Sequence, residues 1–455
     1  MKRLFLIFAM LLMVVSLSSC VKERYKVKTP EEFIEAVREN SNALITVKRD
    51  LDFEGIEWKP MAFGGSIYGK GHTFKNISII STSGDNIGMF TSGDVSVSDL
   101  TIENLVIEHY GDGYNIGGIV GQGYGIYISN VKVSGSLISY MGEHVGGIAG
   151  SIDDSYGSTL KNVTVDMDVK GVRYVGGAVG RVRHEYRDAT FTNVVNHGNV
   201  TSVDNGAGGI VGGVDKTAQF YNCVNNGNIT GKGFVAGIAG YGVVSAIENC
   251  SNYGDVSSFA KSEAAYAGGI FGAGNITKNI KQCENSGNIQ GISYGVGGIA
   301  GAICEDTKIL GSENYGEVKS DSHDVAGIAG SAEDKSQLIQ CVNQGVVVGK
   351  TKAGGIVGNA TEDVFVSFCN NSGSITANDE TGGIAGYTSS SGNLIVSNCD
   401  NSGSVTAEGG MAAGIVGYAY NKHPEDIDTN KNTGELSGVV VNDIFNDESD
   451  KEGLN

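Results

Sequence analysis

Along most of the chain the apolar positions come in short bursts and not in long stripes. A Gly-Gly-Ile-[Ala/Val]-Gly unit, with small variations, closes on glycines 121, 150, 180, 212, 240, 272, 301, 330, 358, 386 and 417, at spacings of 28 to 32 residues. Its third residue is Ile in ten of the eleven copies, Ala178 being the exception. Between copies a second pattern, Asn-Cys-x-Asn-x-Gly-x-[Ile/Val], sets Asn at 196, 225, 252, 285, 314, 343, 371, 401 and 432, each with Gly two places on. Each unit offers two or three β-branched runs broken by Gly and Asn, and none offers a ten-residue apolar stripe at helical spacing. Helical repeats are thereby excluded, and the period falls short of the roughly 40 residues of a propeller blade. The pattern predicts an all-β fold, a single-stranded parallel β-helix (β-solenoid) of about 11–12 coils and about 55 Å in length. In-register stacking turns the Ile series into an internal ladder and the Asn series into an amide ladder at a turn. Alternation puts Ile and two glycines on one side of the Gly-rich strand and Val, Gly and Ala on the other; either side can face inward.

The ends read differently. TPEEFIEAVREN (29–40) predicts a short N-terminal capping helix over the first coil's open edge. Thr29 serves as N-cap, Pro30 stands at the first helical position, Glu32 completes a capping box, and Phe33, Ile34 and Val37 form the apolar face. Lys2 and Arg3 followed by the apolar run 4–15 are a targeting segment. It ends in Leu17-Ser18-Ser19-Cys20, which resembles the lipobox of bacterial lipoproteins. That resemblance implies cleavage before Cys20 and acylation of its thiol, which would anchor the chain in outer-membrane lipid. The residues after it, Val21-Lys22-Glu23-Arg24, lack both an Asp directly after the cysteine and a strong acidic run. Such features mark inner-membrane retention or surface export in some lipoproteins; a cell-surface location is the expectation adopted here. The expected organisation is 1–20 signal peptide, 21–43 tether and cap helix, 44–438 β-helix, and 439–455 a poorly packed acidic tail.

Composition sharpens this picture. Gly accounts for 70 of 455 residues and Pro for 3, with no three-residue Gly period, so collagen is excluded. The Ile and Val content argues against disorder. Formal charge is −19, and 30 basic against 51 acidic residues once Lys2 and Arg3 are removed gives −21. That balance excludes nucleic acid as a partner and disfavours polyanions.

Residues 56–79, IEWKPMAFGGSIYGKGHTFKNISI, resemble the opening segment of bacterial GLUG-repeat surface proteins. The downstream Gly-Gly-Ile-[Ala/Val]-Gly copies are similar to that family's Gly-Leu-x-Gly motif, with Ile in place of Leu. The resemblance spans about 44–438 and implies a surface or adhesin-like role. Proteases carry such repeats too, but no protease motif accompanies them here.

Candidate chemistry is sparse. Cys223, Cys250, Cys283, Cys341, Cys369 and Cys399 share one repeat position, with Ser312 in the missing rung. A line of rungs suits packing better than a metal cage. GVVVGKT (345–351) is one residue short of a phosphate loop and sits inside a repeat. Glu305-Asp306, Glu333-Asp334 and Glu362-Asp363 fall in one loop of successive coils, where stacked carboxylates are candidate calcium ligands; the alternative is a solvated loop relieved by Lys308 and Lys335. No other cofactor is expected. The least repeat-like stretch, RVRHEYRDAT (181–190), carries Arg181, Arg183, His184, Tyr186 and Arg187. With Tyr174 and the tyrosines at 110, 114, 124, 127, 140 and 156 it predicts a binding patch for a glycan or surface protein, since aromatic faces stack on sugars and Arg reads anionic groups. The alternative is Arg paired with local acids. No catalytic residue stands out, and a binding or adhesion module is favoured over a carbohydrate-active β-helix enzyme or a passive scaffold.

Overall fold

The computed structural model describes residues 24–153, 157–183, 187–260, 265–292, 294–389, 391–420, 424–447 and 450. The lipobox, Cys20, and three members of the RVRHEYRDAT stretch including His184 and Tyr186 lie outside them. The described chain forms a parallel β-solenoid of about 13 turns, with strands gathered into a 44-stranded and a 12-stranded sheet. At about 4.8 Å per turn the rod is about 60 Å long.

A regular turn holds five short strands, more than the two or three expected. One such set is Ala300–Cys304, Lys308–Leu310, Glu313–Asn314, Val318–Ser320 and His323–Ala326. The early turns are built otherwise. Single strands of 13 or 14 residues, Ser96–His109, Tyr127–Ser139 and Thr159–Gly171, run where later turns break at the Asn-x-Gly corner. Ile102, Val133 and Val165 fill the rung that Asn takes from residue 196 onward.

The Asn ladder stands at the Asn-x-Gly corner as expected, and it is buried there. Asn196 through Asn401 are at most 1% exposed. Each Nδ2 donates to Oδ1 of the next rung at 2.8–2.9 Å and to the carbonyl of its own Gly two residues on. Both amide protons are used, which is what burial of an amide requires. The glycine pair of the Gly-Gly-Ile unit explains itself by proximity. A Cβ on Gly298 would lie 2.2 Å from the Gly327 carbonyl and 2.3 Å from the Asn314 amide. The glycines leave the volume that the ladder fills.

Both sides of the Gly-rich strand are buried: Ile119 to Ile415, Ala178, and the following Val or Ala residues. The cysteine column is buried as well. The earlier turns carry Leu100, Val131, Val163 and Val194 in its place, so the thiols fill an apolar position, each also donating to a backbone carbonyl at 3.4–3.7 Å. All seven described cysteines are free, with Cys304 half-buried.

The helix α1 (Pro30–Glu39) caps the N-terminal end. Thr29 Oγ1 accepts from Glu32 N, and Lys28 N donates to Glu32 Oε2. Phe33 is fully buried against Phe53, Trp58 and Phe74, with ring centroids 4.9 to 6.2 Å away. Two boundaries shift. Arg24–Val27 is already a rung, paired with Leu44–Val47 ahead of the expected start. Val440–Asn442 and Phe445–Asp447 pair with the preceding turn, so the stack continues past 438 into the segment expected to be loose.

Candidate functional site

In the 12-stranded sheet the position two residues before each glycine pair changes identity from turn to turn. Pairing of Val145 with Ile116 and Val175 stacks His144 between Asn115 and Tyr174. The same register continues through Gly206, Phe234, Tyr266, Gly295, Asp324 and Lys352. Asn115, His144, Tyr174, Phe234, Asp324 and Lys352 all have φ between +50° and +64°. Left-handed backbone costs a non-glycine residue about 1–2 kcal/mol. Gly206 and Gly295 occupy the same column without that penalty, and Asn115 and Asp324 tolerate it, but His144, Tyr174, Phe234 and Lys352 are held there against local preference.

Where this column begins, Asp85, Asn86, Tyr114, Asn115, Gln122, Glu143, His144, Arg181 and Arg183 line a cleft of about 490 Å³. Its floor is a directed chain of hydrogen bonds. Arg181 Nη1 donates to His144 Nε2 (3.0 Å), His144 Nδ1 to Asn115 Oδ1 (2.9 Å), and Asn115 Nδ2 to Asn86 Oδ1 (2.8 Å). A guanidinium only donates, so His144 carries its proton on Nδ1 and is neutral. Burial, with Arg181 and Arg183 beside it, pushes its pKa down to about 3. Both ring nitrogens are engaged, and the imidazole acts as a positioning group. The rings of Tyr114 and Tyr174 flank it at 5.5 and 5.7 Å.

The arginines are already paired. Arg183 grips Asp153 through two bonds of 2.6 and 2.7 Å, which raise its pKa, and Gln122 Nε2 donates to the same carboxylate. Arg181 holds Asp215 at 2.9 Å and lies 4.6 Å over the Tyr174 ring. Arg173 bridges Glu143 and Asp204. Reading of anionic groups by free arginines therefore gives way to the local-acid pairing. With Asp85 and Glu143 also on the wall, the cleft is not a cationic trap.

Tyr114 lines the cleft, and further exposed tyrosines lie on the same early turns. Tyr114, Tyr124, Tyr127, Tyr110 and Tyr140 are 43–49% exposed. Tyr124 Oη donates to Gln122 Oε1 (3.1 Å), and the Tyr110 and Tyr140 rings stack at 4.8 Å. A hydrogen bond to Glu108 pushes the Tyr110 phenol up to about 12.

Of the residues expected to bind, Arg181, Arg183 and Tyr174 come together here, and Arg187 is exposed. His144, Asn115, Glu143, Asp85, Asn86, Gln122 and Asp153 were missed. The signal for the first two lay in the residue two places before each glycine pair, which changes type from turn to turn.

The acidic residues Glu305, Asp306, Glu333, Asp334 and Glu362 are exposed, and Asp363 is half-buried; five of the six, all but Glu333, have positive φ. Glu305 accepts from Asn275 Nδ2, and Asp363 from Asn393 N. Among the described residues no group of three or more His, Cys, Asp or Glu side chains is arranged to hold a metal ion. No helix among them is long and apolar enough to cross a membrane.

No family model matches the chain. Over 117 residues, 23% of this chain, it is 33% identical to Halomucin of Haloquadratum walsbyi, and it spans 1% of that protein's length. A solved structure from Bacteroides ovatus, provisionally described as an immunoglobulin A1 protease, aligns over 92% of this chain and 83% of its own at 12% identity. Its TM-score is 0.20, at which a superposition carries no argument. The chain is a parallel β-solenoid of about 13 turns.

Proposed function

We propose that this protein is a surface-displayed glycan-binding module, tethered to the outer membrane through acylated Cys20 and related to the GLUG-repeat proteins it resembles. The observation that carries the reading is the cleft between Tyr114, Gln122, His144 and Arg181. Donors and acceptors fixed by a buried hydrogen-bond chain meet exposed tyrosine faces there. Sugars ask for that combination: flat C–H faces for aromatic rings, and hydroxyls that both donate and accept. Internally paired arginines favour a neutral ligand over an anionic one. A surface protein remains the second kind of ligand such a patch would fit.

Two experiments test the two halves. The full-length chain in detergent is run through affinity gels containing neutral polysaccharides. Retention is expected, with a loss of about tenfold or more in Tyr114→Ala and Arg181→Ala. No retention on any glycan would sink the binding half. Protease treatment of intact cells is expected to remove an epitope near residue 440, with a periplasmic protein as leakage control. An epitope that survives until the outer membrane is opened refutes surface display.

A further inference from the structure

The left-handed column does not stop at the cleft. Above Tyr174 its side chains lean across to the facing strand. The ring of Tyr174 covers Gly206 and Gly213, and Phe234 packs on Tyr241 at 4.6 Å and on Tyr266 at 5.7 Å. Tyr266 in turn lies over Gly295. These rings are half-buried, and Tyr241 is 39% exposed, so they form an aromatic shelf open to solvent.

The shelf ends on polar groups with unmet demand. Asp324 is 8% exposed, and its Oδ2 accepts from Asn359 Nδ2 at 3.2 Å. Asp324 Oδ1 and Asn359 Oδ1 are buried with no hydrogen-bond partner among the described residues. The closest cation, Lys352 Nζ, stands 4.0 Å from Oδ1 and 4.2 Å over the Tyr387 ring. Two buried acceptors left open in this way cost free energy that a ligand's donors would recover. From His144 to Asp324 is six turns, about 29 Å along the axis.

We infer that the strip from the His144–Arg181 cleft to the Asp324–Asn359 notch is one binding track for a neutral polysaccharide lying along the rod axis. This rests on the glycan-binding reading above. The chain's hydroxyls donate to Asp324 Oδ1 and Asn359 Oδ1 once the Lys352 side chain beside them swings aside, and its sugar faces lie on Tyr241, Tyr266 and their neighbours. An extended peptide fits less well. Strands on this flank are paired on both sides along the stack, so a peptide finds no free edge to join and forfeits its main-chain hydrogen bonds. A buried ammonium at Asp324 would also have to shed its water.

The test uses the full-length chain in detergent and oligosaccharides of the retained polysaccharide, shorter and longer than about 29 Å in extended length. Affinity is expected to rise with length up to that span. Asp324→Ala and Asn359→Ala should weaken the long oligomers about tenfold or more and leave the short ones unchanged, while Arg181→Ala weakens both. Asp324→Asn keeps an acceptor in place and is expected to fold and largely retain long-chain binding. Unchanged thermal melting of the Ala variants separates lost contacts from lost fold. Length-independent affinity that is still sensitive to Arg181 overturns the track and leaves the cleft standing. Salt-sensitive binding of a basic peptide that competes with the glycan and is lost in Asp324→Asn overturns the choice of polysaccharide.

Discussion

At the scale of single residues, His144 shows how a repeat protein hides its chemistry. A neutral imidazole gripped by Arg181 and Asn115 is stable only while it stays uncharged. Its folded pKa, about 3, lies below the ordinary 6.5, so the unfolded chain takes up the proton first as pH falls. Its contribution is full above 6.5 and is lost as pH drops toward 3, at up to about 1.4 kcal/mol per pH unit. The charged groups that act on it are Arg181, Arg183, Asp153 and Arg173. Denaturant titrations between pH 7 and 4.5 should show a steeper loss in the native chain than in His144→Gln; identical slopes would place the acid sensitivity elsewhere. The Asn ladder makes a second prediction. Asn285→Ala leaves Asn252 Nδ2 without its acceptor and Asn314 Oδ1 without its donor, at about 1–3 kcal/mol in the same titration. Gly298→Ala drives a methyl into that ladder and should cost at least as much.

Elements show what the sequence revealed and what it withheld. The period, the Ile column and the cysteine column were legible because each identity recurs at one register position. So was α1, whose Thr29, Pro30 and Glu32 are local signals. Burial of the Asn ladder was not legible, since Asn followed by Gly signals a turn equally well; only the glycine pair packed against it across the core settles the matter. The column of Asn115, His144 and Tyr174 stayed hidden because a left-handed position has no fixed side chain when the structure around it imposes the strain. Arg181 and Arg183 stood out by their residue type, but their acid partners Asp215 and Asp153 come from neighbouring turns and appear only once the register is known. The cap carries its own prediction. Phe33→Ala removes a buried ring from the Phe53, Trp58 and Phe74 cluster and should cost about 3–5 kcal/mol. Because turns interact chiefly with their neighbours, hydrogen exchange should quicken first in residues 24–75. Uniform acceleration along the rod would mean that the solenoid unfolds as one unit.

As a whole molecule the chain divides its labour by direction. In the core, Ile, Cys and Asn columns stack like on like and give the turns from residue 196 onward much the same interior. Along the rod, one column in the 12-stranded sheet is released from that uniformity and carries Asn, His, Tyr, Phe, Asp and Lys in succession. A rigid rod about 60 Å long presents these at fixed spacing, which suits recognition of an extended ligand. The most direct measurement is a crystal structure of the chain with a long neutral oligosaccharide bound. The predicted result is sugar rings running parallel to the axis, seated between Tyr114, Gln122 and Arg181 and continuing over Tyr241 toward Asp324. Sugar seated on another face, with the left-handed column bare, would contradict the assignment of function to this strip.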